Sequence, residues 1–185
     1  MRGTMADPII VTPYDERWPA EFQKVGQSIR AVLGELALRI DHIGSTAIPG
    51  LAAKPVIDVQ VSLKSFDQID VIALGMRSIG FAFRPDNPDK TQRYFRELPG
   101  NRRTHIHMRR SGSFQEAFSL LFRDYLRQHP EDARAYEDNK YELSLIHKDN
   151  RLNYVDGKGP LIWQIIMRAN RWSQSTGWHP GPSDA

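Results

Sequence analysis

The chain has 185 residues, 40% hydrophobic side chains and a formal net charge of +3: enough apolar mass for one packed core, and too small a basic excess to indicate nucleic acid by itself. It has no cysteine, which excludes disulfides, zinc thiolates and thiol nucleophiles, so any metal would rest on carboxylate, imidazole or amide oxygen. No apolar run approaches the ~20 residues of a membrane span, and the N-terminus lacks the apolar stretch of a signal peptide, which predicts a soluble cytoplasmic protein with no membrane contact; Met5 offers an alternative start.

After an extended start at PIIVTPY, Trp18, Phe22, Val25, Ile29, Val32, Leu33 and Leu36 recur at helical spacing and predict an amphipathic helix. LALRIDHIG then reads as a strand that stops at Gly44. In PVIDVQVSL the pattern alternates, with Ile57, Val59, Val61 and Leu63 on one face and Val56, Asp58, Gln60 and Ser62 on the other. One face is expected in the core, while the other is polar. Ser65 or Asp67 can cap a short helix through Met76, and GFAFRP and QRYFREL form a hairpin around the turn PDNPDK. RTHIHMRR is a further strand, with Ile106 and Met108 opposite Arg103, His105, His107 and Arg109.

From Phe114 the period becomes helical through Tyr125 and breaks near Pro130; helices from about Glu131 to His147 and about Gly159 to Trp172 follow. SQSTGWHPGPSDA is rich in turn formers and predicts a flexible C-terminal tail. No repeat or linker divides the chain, so a strand-rich front and a helical back make one α+β domain over residues 1–185.

The loop from Gly44 to Gly50 offers hydroxyls and backbone N–H groups, which suit either a phosphate or a tight turn. It is not a Walker loop, because Lys54 comes four residues after Gly50 and precedes Pro55. Asp58 interrupts an apolar run, where an unpaired carboxylate is costly; a cleft, a cation or an Arg or Lys on a neighbouring strand must accommodate it. His105 and His107 share a strand face with Arg103 and Arg109, and two imidazoles beside a carboxylate can hold a divalent ion, bind phosphate or simply pack as polar groups. Lys140 and Lys158 reach an anionic ligand if the helices cover the cleft, and are otherwise helix surface. Arg102, Arg103, Arg109 and Arg110 with Tyr94 or Phe95 would be an RNA surface, but strand aromatics are more often core, which argues against RNA.

The run HIGSTAIPGLAAKPVIDV resembles the GrpB (UPF0157) family, a branch of the nucleotidyltransferase superfamily. RYF, THIHM, FRDYLRQHPE, the Lys140 helix and the pair Tyr154 and Lys158 follow in the expected order, so the likeness covers a core of about residues 10–172. The resemblance implies a nucleotidyltransferase-like mixed β-sheet with an N-terminal helix and C-terminal helices packed around it. Gly44 and Ser45 match the Gly-Ser element that meets nucleotide phosphates, and Asp58 matches the first acid of an Asp-x-Asp pair. Position 60 is Gln, however, and His107 stands where a third carboxylate is expected.

A two-metal site needs more negative charge than one Asp supplies. The resemblance therefore implies a single Mg2+ or Mn2+ held by Asp58 and His107 with His105 or Gln60, an imidazole favouring manganese. Asp58 and His107 are the expected catalytic pair, and Gly44, Ser45, Thr46, Lys54, Arg103, Arg109, Lys140 and Lys158 the phosphate-binding set. The implied function is nucleotidyl transfer from a nucleotide, or another phosphorylated small molecule, to an unknown acceptor. The alternative is a non-catalytic nucleotide-binding or accessory domain, because a related domain follows dephospho-coenzyme A kinase in some fused proteins, which allows a protein partner.

Overall fold

The apolar stripe beginning at Trp18 forms helix α1 (Trp18–Leu33) in the computed structural model of the chain, which describes residues 9–185. The stretch containing Met5 lies outside the described residues. α1 buries Trp18, Phe22, Gly26, Ile29 and Leu33, then stops at Gly34, where φ is +50°. Strands β1 (Arg39–Ile43), β2 (Ile57–Leu63), β3 (Phe81–Phe83), β4 (Gln92–Glu97) and β5 (Thr104–Arg110) follow, with α2 (Ile69–Ser78) between β2 and β3. The back half is helical: α3 (Phe114–Gln128), α4 (Pro130–Ile146), α5 (Arg151–Gly157) and α6 (Gly159–Thr176).

The five strands make one mixed sheet in the order β1-β2-β5-β4-β3. β2 and β5 run parallel at its centre, and the other neighbours are antiparallel, including the expected β3–β4 hairpin. The apolar face of β2 and β5, with Ile57, Val59, Val61, Ile106 and Met108, packs with α1 and α2 in one core. A second core joins α3, α4 and α6 through Tyr125, Leu126, Tyr136 and Ile165, and reaches the loop after β1 at Ile48 and Leu51. Each fully buried aliphatic or Phe side chain in these cores contributes roughly 1.5–3 kcal/mol. No helix among the described residues is long and apolar enough to cross a membrane.

Four local expectations differ from the structure. Core burial is not confined to the apolar face of β2: on the polar face Gln60 and Ser62 are fully buried, and the Gln60 amide donates to the Glu116 carbonyl on α3 at 3.3 Å. α2 begins after Gln68 with no side-chain cap, because the Ser65 hydroxyl is spent on the Asp67 carboxylate. α5 was not expected from periodicity; Asn150 caps it by accepting from the Asn153 N–H at 3.0 Å.

The tail is the fourth difference, since residues 181–185 lie hydrogen-bonded along β1 instead of hanging loose. Ile40 N–H donates to the Ser183 hydroxyl, and the Ile40 carbonyl accepts from the Asp184 N–H. β1 is an edge strand, so these bonds satisfy groups that no strand partner reaches.

Candidate metal and phosphate site

Parallel pairing puts Asp58 of β2 opposite His105 of β5, and the two-residue strand period brings His107 onto the same face. Asp58 Oδ1 lies 3.1 Å from His105 Nδ1 and 3.5 Å from His107 Nε2, and one ligand atom from each of the three residues falls within 4.8 Å of the others. This answers the choice left open for Asp58: its strand neighbours are imidazoles, not an Arg or Lys.

A second hydrogen-bond layer fixes the His107 ring. Gln92 Nε2 donates to Asp89 Oδ2 at 3.0 Å, which leaves Gln92 Oε1 as the acceptor for His107 Nδ1–H at 2.8 Å. That network puts a proton on His107 Nδ1 and turns Nε2 toward Asp58. Two lone pairs 3.5 Å apart repel unless a proton or a cation lies between them. His105 Nε2 is buried with no hydrogen-bond partner, a further unsatisfied polar atom in the same cluster. The donor set of one carboxylate and two imidazoles therefore fits a divalent transition ion better than magnesium.

Burial alone would raise the Asp58 carboxyl, but the His105 and His107 contacts outweigh it and hold the group below the usual carboxylate range. Burial lowers His105, partly offset by Asp58. Gly44 closes the site from behind: its φ is +70°, and a Cβ there would stand 2.8 Å from Asp58 Oδ2.

The opposite wall is cationic. A cavity of about 320 Å³ is lined by Ser45, Thr46, Lys54, Asp58, His105 and His107 on the sheet side and by Lys140, Arg151, Tyr154 and Lys158 on the helical side. Burial, helped by Arg151 and Lys158, pushes Lys54 down to about 8; burial and Lys158 push Lys140 down to about 7. The ammonium groups of Lys54 and Lys158 lie 5.2 and 4.9 Å from the Tyr154 ring centroid. Lys140 is anchored through its amino group to the Ala52 carbonyl, and burial raises the Tyr154 phenol above its ordinary value. Lys54, Lys140, Arg151 and Lys158 thus bring four basic side chains to a cavity whose single carboxylate is Asp58, a set that suits a polyanion. A wider groove of about 540 Å³ near the β3–β4 loop includes Tyr94 and Arg96 but none of the triad.

Of the expected phosphate and metal residues, the fold gathers Ser45, Thr46, Lys54, Asp58, His105, His107, Lys140 and Lys158, with Gly44 behind. The Thr46 hydroxyl is committed to structure, donating to the Val56 carbonyl at 3.1 Å while 3.0 Å from His42 Nε2. Gln60 and Arg109 share the strand face but sit one strand period beyond Asp58 and His107; Gln60 turns to Glu116, and the Arg109 guanidinium lies 3.9 Å from Asp89. Neither lines the cavity, and Arg103, just before β5, does not either.

Of the expected RNA-facing residues, Arg102 pairs with Glu21 at 2.8 Å, Arg110 lies 5.6 Å from the Phe66 ring and Phe95 is fully buried. Tyr94 stands beside the two histidines, 5.8 and 5.3 Å from their centroids. Sequence reasoning did not assign Arg151, Gln92 or Asp89 a role. The Asn150 cap was the available signal for Arg151, and nothing local announces the cross-strand pair Gln92–His107.

The sheet and its helices define a nucleotidyltransferase-like fold: terminal uridylyl transferase 4 from Trypanosoma brucei, solved with bound dUTP, is similar with a TM-score of 0.54 and 17% identity over 85% of this chain and 56% of that one. The chain belongs to the GrpB protein family, whose profile matches residues 8–168. The crystal structure of the conserved protein GrpB from Enterococcus faecalis is similar with a TM-score of 0.80 and 33% identity, over 88% of this chain and 99% of that one.

Among curated relatives, the UPF0157 protein YqkA of Bacillus subtilis is 36% identical over 162 residues, 87% of this chain and 47% of YqkA. A dephospho-CoA kinase of Mycolicibacterium paratuberculosis is 31% identical over 199 residues, 94% of this chain and 49% of the kinase. The chain thus spans about half the length of these two relatives.

Proposed function

We propose that the cleft binds a nucleoside triphosphate with one divalent cation and transfers the nucleotidyl group to an acceptor. The observation that carries this reading is the meeting, around one cavity, of the Asp58–His105–His107 triad and Lys54 on the sheet side with Lys140, Arg151 and Lys158 on the helical side. Asp58 Oδ1 and His107 Nε2, with His105, would hold Mn2+ or Mg2+, which when bound neutralises phosphate charge and orients the reacting phosphoryl group.

Ser45 and the lysines bind the triphosphate oxygens, and Gly44 keeps Asp58 in position. In the reaction the acceptor's nucleophile bonds to the α-phosphorus, the bond to the bridging oxygen breaks, pyrophosphate leaves and the nucleophile's proton is lost to solvent. The protein's part is positioning and charge compensation.

Thermal unfolding with a nucleotide panel, with and without Mn2+ or Mg2+, tests this in the wild type and Asp58→Ala. UTP belongs in the panel because the uridylyl transferase of the same fold was solved with dUTP. A ligand at ~100 times its dissociation constant adds roughly 2.7 kcal/mol of stability. A cation-dependent shift that disappears in Asp58→Ala, together with pyrophosphate release, supports the reading. No shift with any nucleotide and cation sinks it.

One observation favours a second reading, a binding or accessory domain without turnover: the site has a single carboxylate, and Gln60 is turned away from it. The match to half of a dephospho-CoA kinase agrees with such a role beside a nucleotide enzyme. Ligand-induced stabilisation with no pyrophosphate release across acceptors would decide for it.

A further inference from the structure

Residues 181–185 are tied to the sheet edge by more than backbone pairing. Asp184 Oδ2 accepts the His42 N–H at 2.9 Å and an Arg123 Nη1 hydrogen bond at 2.7 Å. The same Arg123 Nη1 donates to the His42 carbonyl at 3.0 Å, so both edge-facing backbone groups of His42 are engaged by the Asp184–Arg123 pair. Arg123 is 97% buried and also reaches Asp124 at 2.7 Å.

Around the pair, Arg39 donates to the Gly181 carbonyl at 2.8 Å and Gln23 to the Asp184 carbonyl at 2.9 Å. This segment lies outside residues 8–168, the part of the chain matched by the family profile.

From His42 the connection continues into the phosphate loop. Thr46 gives its proton to the Val56 carbonyl, so its oxygen accepts from His42 Nε2–H at 3.0 Å. The backbone of His42 is thus held by the strap and its side chain holds the loop, which is joined at Val56 to the segment just before β2, two residues before Asp58. His42 cannot compensate by moving: its ring is stacked on Phe22, with centroids 4.7 Å apart and planes at 2°.

We infer that Asp184 is a positioning residue, and that the Gly181–Ala185 strap sets the conformation of the Gly44–Thr46 loop through Arg123 and His42. The strap covers the β1 edge of the five-stranded sheet and couples that edge to the cavity. Releasing it frees His42 N–H and leaves Arg123 with one fewer acceptor, so the loop opens while the distant strands β4 and β5 remain paired. This goes beyond the functional reading, and only the ligand measurement below rests on that reading.

The test is amide hydrogen exchange by mass spectrometry on the full chain, Asp184→Ala and a chain lacking residues 181–185. The N–H groups of Ala47 and Ile48, bonded to the Gly44 and Ser45 carbonyls at 3.2 Å, report on the loop. Exchange over residues 42–48 is expected to rise about tenfold in both variants, with β4 and β5 as protected as in the wild type. Unchanged exchange at 42–48, or an equal rise across the whole sheet, overturns the inference.

If Asp184→Ala fails to fold, Asp184→Asn, which keeps an oxygen for His42 N–H but loses the charge facing Arg123, is expected to give an intermediate rise at the same peptides. Inorganic pyrophosphate with Mn2+ serves as the ligand probe, and its affinity is expected to fall about fivefold or more in Asp184→Ala. A wild type that binds no pyrophosphate would count against the functional reading alone, because the exchange result still decides the strap.

Discussion

Gly44 and Asp58 share a space that admits only one side chain. Gly44 adopts φ +70° and ψ −172°, a region open essentially to glycine alone, and a Cβ would meet Asp58 Oδ2 at 2.8 Å. Gly44→Ala is therefore expected to cost about 1–3 kcal/mol in denaturant-melt stability and to abolish cation-dependent stabilisation, because the carboxylate must turn away from the histidines. An alanine variant that melts as the wild type and still responds to Mn2+ would contradict this.

Gln92 holds His107 from outside the triad. With its Oε1 removed in Gln92→Leu, His107 loses the acceptor that fixes its tautomer and ring plane. Mn2+ affinity, measured by calorimetric titration, is expected to drop about 10–100-fold, the usual effect of deleting an outer partner of a ligating histidine.

The lowered values of Lys140 and Lys54 predict that stability and the proposed anion binding depend on pH in opposite senses. Lys140 sits at about 7 in the folded chain against 10.5 when free, so between these values the unfolded state binds the extra proton. Stability should rise with pH across that window, and Lys140→Met should flatten the rise. A polyanion favours the charged lysines, so pyrophosphate affinity should instead fall as pH rises through the values of Lys140 and Lys54, about 7 and about 8. Binding near the upper value should take up protons, which calorimetry in buffers of different ionisation enthalpy would register.

Ser45 and Thr46 are adjacent hydroxyls with different duties. Thr46 is buried and hydrogen-bonded within the protein, so Thr46→Val should lower stability by about 1–3 kcal/mol. Ser45 is half-buried at the cavity wall, and Ser45→Ala should leave stability within about 0.5 kcal/mol while weakening pyrophosphate binding. Equal effects of the two substitutions on both measurements would remove the distinction.

The period-two pattern of PVIDVQVSL and RTHIHMRR was enough to put Asp58, His105 and His107 on polar strand faces, because alternation is a local property of a strand. It could not say how far along each strand the cleft extends. A step of two residues, roughly 7 Å, carries Gln60 beneath α3 and Arg109 towards Asp89, although both share the correct face. α5 was hidden because HKDNRLNYVDGK carries no helical apolar stripe; its anchor is the single buried Tyr154. The strap is illegible for a related reason: a Gly/Pro-rich segment looks unattached until a distant partner appears, here Arg123, 61 residues from Asp184.

The parallel pairing of β2 with β5 also has a kinetic consequence. His105 lies 47 residues from Asp58, and two other strands and a helix intervene, so the ligating atoms meet only after a long loop has closed. The separate strands do not present the site, and a cation cannot act as an early template for folding. A cation held by the proposed triad would recognise the finished sheet. Mn2+ should accordingly slow unfolding while leaving the refolding rate nearly unchanged, as expected for an interaction absent from the transition state.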